Sequence, residues 1–99
     1  MSEMKKVHLT KDLECTAKKL SLAGDESRIR ILCLMFEYKK ACVSDIAGAL
    51  DMSVAAVSHH LQLMREYGFF TTERIGTTVC YILVEDVFVK KLQTIICDC

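Results

Sequence analysis

The residues of this 99-residue chain best able to do chemistry are its six cysteines, Cys15, Cys33, Cys42, Cys80, Cys97 and Cys99. A thiolate can ligate a soft metal ion, reduce an oxidant or exchange with a disulfide. The spacing is irregular and holds no Cys-x-x-Cys pair, so neither a zinc ribbon nor a thioredoxin-type couple has support. The opening MSEMKKVHLTKDLE has no apolar signal region, and no stretch approaches the roughly 18 apolar residues of a membrane span. The expected setting is the cytoplasm, with no membrane partner. Cysteines there are reduced thiols, metal ligands or redox sensors more often than a disulfide framework.

A second group of side chains suits recognition rather than catalysis. The run from Ser44 to Gly68, SDIAGALDMSVAAVSHHLQLMREYG, reads as a short helix, a tight turn at Asp51-Met52, and a longer helix capped by Ser53 and ended by Gly68. That is a helix-turn-helix. At about 100° per residue, Val54, Val57, Leu61 and Met64 fall on one side of the second helix, with Ala55, His59, Gln62 and Glu66 on the other and Ser58 between them. The first set is expected in the core. On the outer side Ala55 permits close approach, Ser53 and Ser58 can bond phosphate or base edges, His59 and Gln62 can donate or accept, and Arg65 adds charge. His60, on the flank, reads as a packing residue. The Ser58-His59 neighbours face about 100° apart and make no nucleophile–base pair, and the chain has no Gly-rich phosphate loop, so an enzyme is the least supported class.

The elements that position these groups follow from spacing and caps. Thr10 caps a first helix to about Leu22, carrying Leu13, Thr16, Ala17 and Leu20 on one side. Gly24 ends it and Asp25 caps a second helix, Glu26 to about Tyr38, with Ile29, Leu32, Cys33 and Phe36 on one face. Ala41–Val43 reads as a short strand, and Ser44 as the N-cap of the next helix. After Gly68 the period changes: Phe70–Ile75 and Thr77–Val84 flank Gly76 as a two-stranded hairpin. Arg74, Thr77 and Thr78 stand at its tip. Asp86 caps a last helix that runs to the end of the chain.

The predicted fold is therefore mainly α with a small β-hairpin wing, a dimeric winged helix-turn-helix in one domain, residues 1–99. Residues 1–9 form a flexible N-terminal arm, 44–68 the helix-turn-helix, 69–84 the wing and 86–99 a dimerisation helix. A chain this short buries only about 60 to 65% of its unfolded surface, which favours a partner subunit. The formal net charge is zero, so the usual basic footprint of a nucleic-acid binder is missing. A neutral chain can still bind phosphates if its few cations line one face, with an affinity that falls steeply with salt. A winged helix that binds protein instead of DNA is the competing class.

Three motifs in order, Leu22-Ala23-Gly24-Asp25 with Arg28-Ile29-Arg30-Ile31-Leu32, then Val57-Ser58-His59-His60-Leu61, then Gly68 and the wing before Tyr81, resemble the ArsR/SmtB family of winged-helix repressors over roughly Leu20 to Val84. The resemblance implies a homodimer joined through its first and last helices that binds double-stranded operator DNA and releases it when an inducer arrives. It implies no required cofactor; a soft metal or metalloid ion is one kind of inducer.

The resemblance also ranks the cysteines. Cys42-Val43-Ser44-Asp45 matches the family's thiolate metal site at its first cysteine only, Ser44 replacing the second, with Cys15 a further sulfur and the Cys97/Cys99 tail another metal candidate. The family's other metal site, on the last helix, finds Asp86 but no histidine. A subgroup similar to this chain at Ile31-Leu32-Cys33 senses reactive sulfur or oxidants through a cysteine on the second helix and one near the chain end. On the last helix Phe88, Leu92, Ile95, Ile96 and Cys99 share a face while Cys97 lies off it, which makes Cys33 with Cys99 the preferred sensing pair. Cys80, beside Tyr81, is expected only to pack.

Overall fold

The computed structural model describes residues 3–97. Residues 3–10 are exposed and carry no regular structure. Five helices follow, α1 (Lys11–Ala23), α2 (Glu26–Tyr38), α3 (Val43–Leu50), α4 (Val54–Glu66) and α5 (Val87–Cys97), with strands β1 (Lys40–Cys42), β2 (Phe70–Ile75) and β3 (Thr78–Leu83).

Local chemistry explains most of the boundaries. The Thr10 hydroxyl accepts from the Leu13 N–H at the start of α1, the Asp25 carboxylate from Arg28 N–H at α2, Ser53 from Ala56 N–H at α4 and Asp86 from Val89 N–H at α5. Each satisfies an orphan donor of a first turn. The expected Ser44 cap is a correction. Helix α3 begins one residue earlier, its N-cap is Cys42 with extended backbone, and no side chain bonds there, because β1 runs straight into the helix. Asp51, left-handed at φ 54°, makes the turn between α3 and α4. The Arg30 guanidinium on α2 donates to the Leu50 carbonyl at 2.7 Å, tying α2 to the end of α3.

The sheet is antiparallel in the order β1-β3-β2. In the wing Ile75 pairs with Thr78 and leaves a two-residue loop, Gly76-Thr77. Gly76 at φ +63° holds the first loop position, where a hairpin turn of this length needs a conformation that L side chains rarely adopt. On the other side β1 contributes three pairings: Lys40 with Ile82, Ala41 with Tyr81 and Cys42 with Cys80.

The core lies where α2, α3, α4 and the sheet converge. Ile31, Leu32 and Met35 meet Ile46, Val57, Leu61, Met64, Phe69 and Phe70, all shielded from solvent. Helix α5 closes it with Val89 and Leu92, and Phe88 sets its ring edge against Phe69. Helix α1 is different. It buries only Ala23 and leaves Leu13 46% and Leu20 50% exposed, touching α5 where the Lys19 ammonium sits 5.1 Å from the Phe88 ring centre.

Candidate nucleic-acid interface and thiol sites

Helix α4 divides as its periodicity predicts at Val57, Leu61 and Met64, which are buried, and at Ala55, His59, Gln62 and Arg65, which are exposed. Ser58 is half-buried between the two sets. Val54 departs from expectation. As the first residue of the helix it lies beyond the reach of the core and is 53% exposed, so an apolar group joins the outer face. Periodicity missed it; its place next to the cap was the usable signal. The Ser53 hydroxyl oxygen is taken by its cap bond, which leaves its O–H to donate outward.

Beside this face stands the wing. An open cleft of about 540 Å³ separates the two, lined by Gln62, Arg65 and Glu66 from α4 and Val79 and Tyr81 from β3. Tyr81 is buried; that burial pushes its phenol pKa up, and the nearby Arg65 charge works against the rise. Arg74, Thr77 and Thr78 are exposed at the hairpin tip, and Ile75 joins them at 54% exposure. The acid on the wing, Glu73, is paired with Lys40 of β1 at 2.6 Å. Between Val43 and Val89 the sequence has two Lys/Arg residues, Arg65 and Arg74. Arg65 lines the cleft from α4 and Arg74 stands exposed at the hairpin tip, two cations that can meet phosphates from the helix and from the wing.

His60 sits apart from the outer face. It is half-buried, its Nδ1 is enclosed without a protein partner, and the Arg28 Nε is likewise enclosed. Burial lowers the His60 pKa first and the Arg28 charge lowers it further, with Asp25 opposing. That agrees with a packing role.

The cysteines sort differently from expectation. Cys33 is exposed, because α2 turns Ile31, Leu32, Met35 and Phe36 inward and Cys33 lies one step beyond that stripe. Its thiol pKa is nonetheless raised, by partial desolvation first and by the neighbouring Cys97 second. Cys97, off the apolar face of α5, is near enough for its charge to raise the Cys33 pKa; Cys99, the expected partner, lies outside the described residues. Cys15 is exposed on α1. Cys42 is not a free thiolate ligand here but forms a disulfide with Cys80, the pair standing directly opposite in the β1–β3 register. Cys80 therefore does more than pack. Nothing in the irregular spacing of the cysteines revealed a pairing that only the antiparallel register creates.

Two helices joined by a left-handed turn, the second capped and outward-facing beside a hairpin, define a winged helix-turn-helix protein. The family described as "Bacterial regulatory protein, arsR family" matches residues 25–71. An uncharacterized HTH-type transcriptional regulator of Methanocaldococcus jannaschii is 33% identical over 63 residues, 64% of this chain and 71% of that protein. The arsenical resistance operon repressor of Escherichia coli K12 is 39% identical over 62 residues, 63% of this chain and 53% of that protein. The solved structure of HlyU from Vibrio cholerae superposes with a TM-score of 0.76 at 25% identity, covering 90% of this chain and 99% of that one. The chain belongs to the ArsR family, a family of transcriptional regulators rather than enzymes. It spans about half the length of the first curated relatives it matches. Among the described residues no helix is long and apolar enough to cross a membrane.

Proposed function

We propose that the chain is a cytoplasmic, homodimeric repressor that binds double-stranded operator DNA and is released by a thiol-directed inducer acting at Cys33 and the cysteines ending the chain, Cys97 and Cys99. The observation that carries the DNA reading is the outer face of α4. Ser53, Ala55, His59 and Gln62 offer small and hydrogen-bonding groups beside the apolar Val54, with no acid before Glu66, and Arg65 and Arg74 add charge on the helix and at the hairpin tip. Such a helix suits the major groove, with the wing on the adjacent backbone. Support for the homodimer comes from α1 and α5, whose Leu13, Leu20, Val87 and Ile95 stay exposed in one chain. The relative from Escherichia coli is named as a repressor, which favours that direction of regulation.

The inducer reading rests on Cys33 being accessible and within electrostatic reach of Cys97. A disulfide or polysulfide bridge between α2 and the end of α5 would shift the dimer contact and move two recognition helices off their half-site spacing. A metal or metalloid site through Cys15 and Cys42 is less favoured because Cys42 is committed to Cys80.

The test is a titration on duplex DNA from upstream of the chain's own locus, repeated after polysulfide and after Cd(II) or As(III), with intact mass recorded each time. Release by polysulfide with a mass gain or cross-link at Cys33 is expected. Release by the metal or metalloid alone would move the inducer site elsewhere. Absence of binding to any duplex even at low salt would leave a protein-interaction module.

A further inference from the structure

Among the described cysteines only Cys42 and Cys80 are bonded to each other, the other three being exposed on helices. Cys42 is both the last residue of β1 and the N-cap of α3, the first helix of the helix-turn-helix. Cys80 is in the middle of β3, the strand that forms the wing with β2 and whose Tyr81 and Val79 wall the cleft facing α4. The bond therefore joins the point where the helix-turn-helix begins to the central strand of the wing. The 38-residue separation between the two cysteines encloses α3, α4, β2 and the hairpin tip. Every residue assigned to the DNA face lies inside that loop.

Few polar side-chain contacts hold this junction apart from the bond, although Ala41 and Val43 pack on the core beside it and the Lys39 carbonyl accepts from the Leu83 N–H. Strand β1 has three residues paired to β3, and no side chain caps α3. The Lys40–Glu73 and Lys39–Glu85 ion pairs beside it are solvent-exposed and hold weakly.

We propose that Cys42–Cys80 is a reducible clamp that sets the position of the wing against the helix-turn-helix, separate from the Cys33 site. Its substrate class is a dithiol reductant. A thiolate of the reductant attacks the Cys42 sulfur, since Cys42 is half-buried while Cys80 is only 1% exposed. The Cys42–Cys80 bond breaks, a mixed disulfide forms on Cys42, and Cys80 leaves as a thiolate that takes a proton. The second reductant thiol then attacks the mixed disulfide, closing the reductant's own disulfide and releasing Cys42. The protein gains two electrons and two protons, the dithiol loses both, and a disulfide of the same class reverses the step.

The consequence for DNA affinity rests on the DNA reading above, so the experiment reads the clamp and the DNA separately. The chain is purified without reductant and compared before and after treatment with dithiothreitol. Measurements are thiol count, intact mass, amide hydrogen exchange and duplex binding. Reduction is expected to expose two further thiols with a mass gain of about 2 Da. Amide exchange should speed up across 40–44 and 78–82, and duplex affinity should fall by about fivefold or more, the scale of ordinary coupling between sites. A double variant, Cys42→Ser with Cys80→Ala, should exchange like the reduced protein and ignore dithiothreitol. Six alkylatable thiols in the unreduced chain would overturn the clamp. So would a bond whose reduction leaves exchange in both strands unchanged, even if the double variant fails to fold. If neither form binds any duplex while exchange still responds, the DNA reading fails and the clamp stands. If both bind equally, the clamp does not govern affinity.

Discussion

Replacing Arg65 and Arg74 with alanine tests the DNA face through its dependence on salt. Between Val43 and Val89 these two are the only Lys or Arg residues, and both are exposed. If each meets one phosphate in each protomer of a homodimer, four phosphates are neutralised. Counterion release then gives a slope of log affinity against log salt of about −3.6, a loss of about 150-fold between 50 and 200 mM. Arg65→Ala or Arg74→Ala alone should halve the slope to about −1.8, reducing the loss over that range to about 12-fold. At 100 mM the two lost contacts per dimer are worth about 2.5 kcal/mol of binding relative to a 1 M reference. The assay is fluorescence anisotropy on one duplex at a series of KCl concentrations, with circular dichroism to show that each variant folds. An unchanged slope in the folded double variant would refute the placement of phosphates at these arginines. A fall in affinity that is equal at every salt concentration would do the same, since it would mark a contact without counterion release.

His60 makes a statement about pH. Its pKa in the fold lies below the ordinary histidine value, so the unfolded chain takes up a proton first as pH falls, and stability should drop from near pH 6.5 downward until the folded form also protonates. His60→Gln, followed by thermal unfolding from pH 7.5 to 5.5, should flatten that dependence; identical pH profiles for both proteins would show that His60 is not responsible. The raised Cys33 pKa makes its thiolate scarce at neutral pH, so site-resolved alkylation at pH 7.5 should be slower than for a free cysteine. Cys97→Ser should speed it by removing one of the two causes, and an equal or slower rate would place that cause elsewhere.

The elements were legible in the sequence because their ends are chemical. Thr10, Asp25, Ser53 and Asp86 cap where a short polar side chain meets a helical period, and Gly76 marks the hairpin. Local patterns read poorly where tertiary placement decides. Val54 fits the apolar stripe of α4 but sits at its first turn, outside the core, and Cys33 fits a stripe on α2 that the fold rotates by one residue. The Ser44 cap failed because a strand enters α3 without a loop. The Cys42–Cys80 pair depends on antiparallel register between segments 38 residues apart, which no local signal encodes. The polar outer face of α4 came through best, since 3.6-residue periodicity sorts inside from outside wherever a helix crosses the core.

Helix α1 is 13 residues long and buries only Ala23. An isolated helix of that length is marginal in water, so its order draws on its contacts with α2 and α5 and on whatever covers Leu13 and Leu20. In the homodimer proposed above, association and the folding of this helix become a single equilibrium, and the melting temperature rises with protein concentration. Dilution would melt α1 first, before the buried helices that carry the reading face.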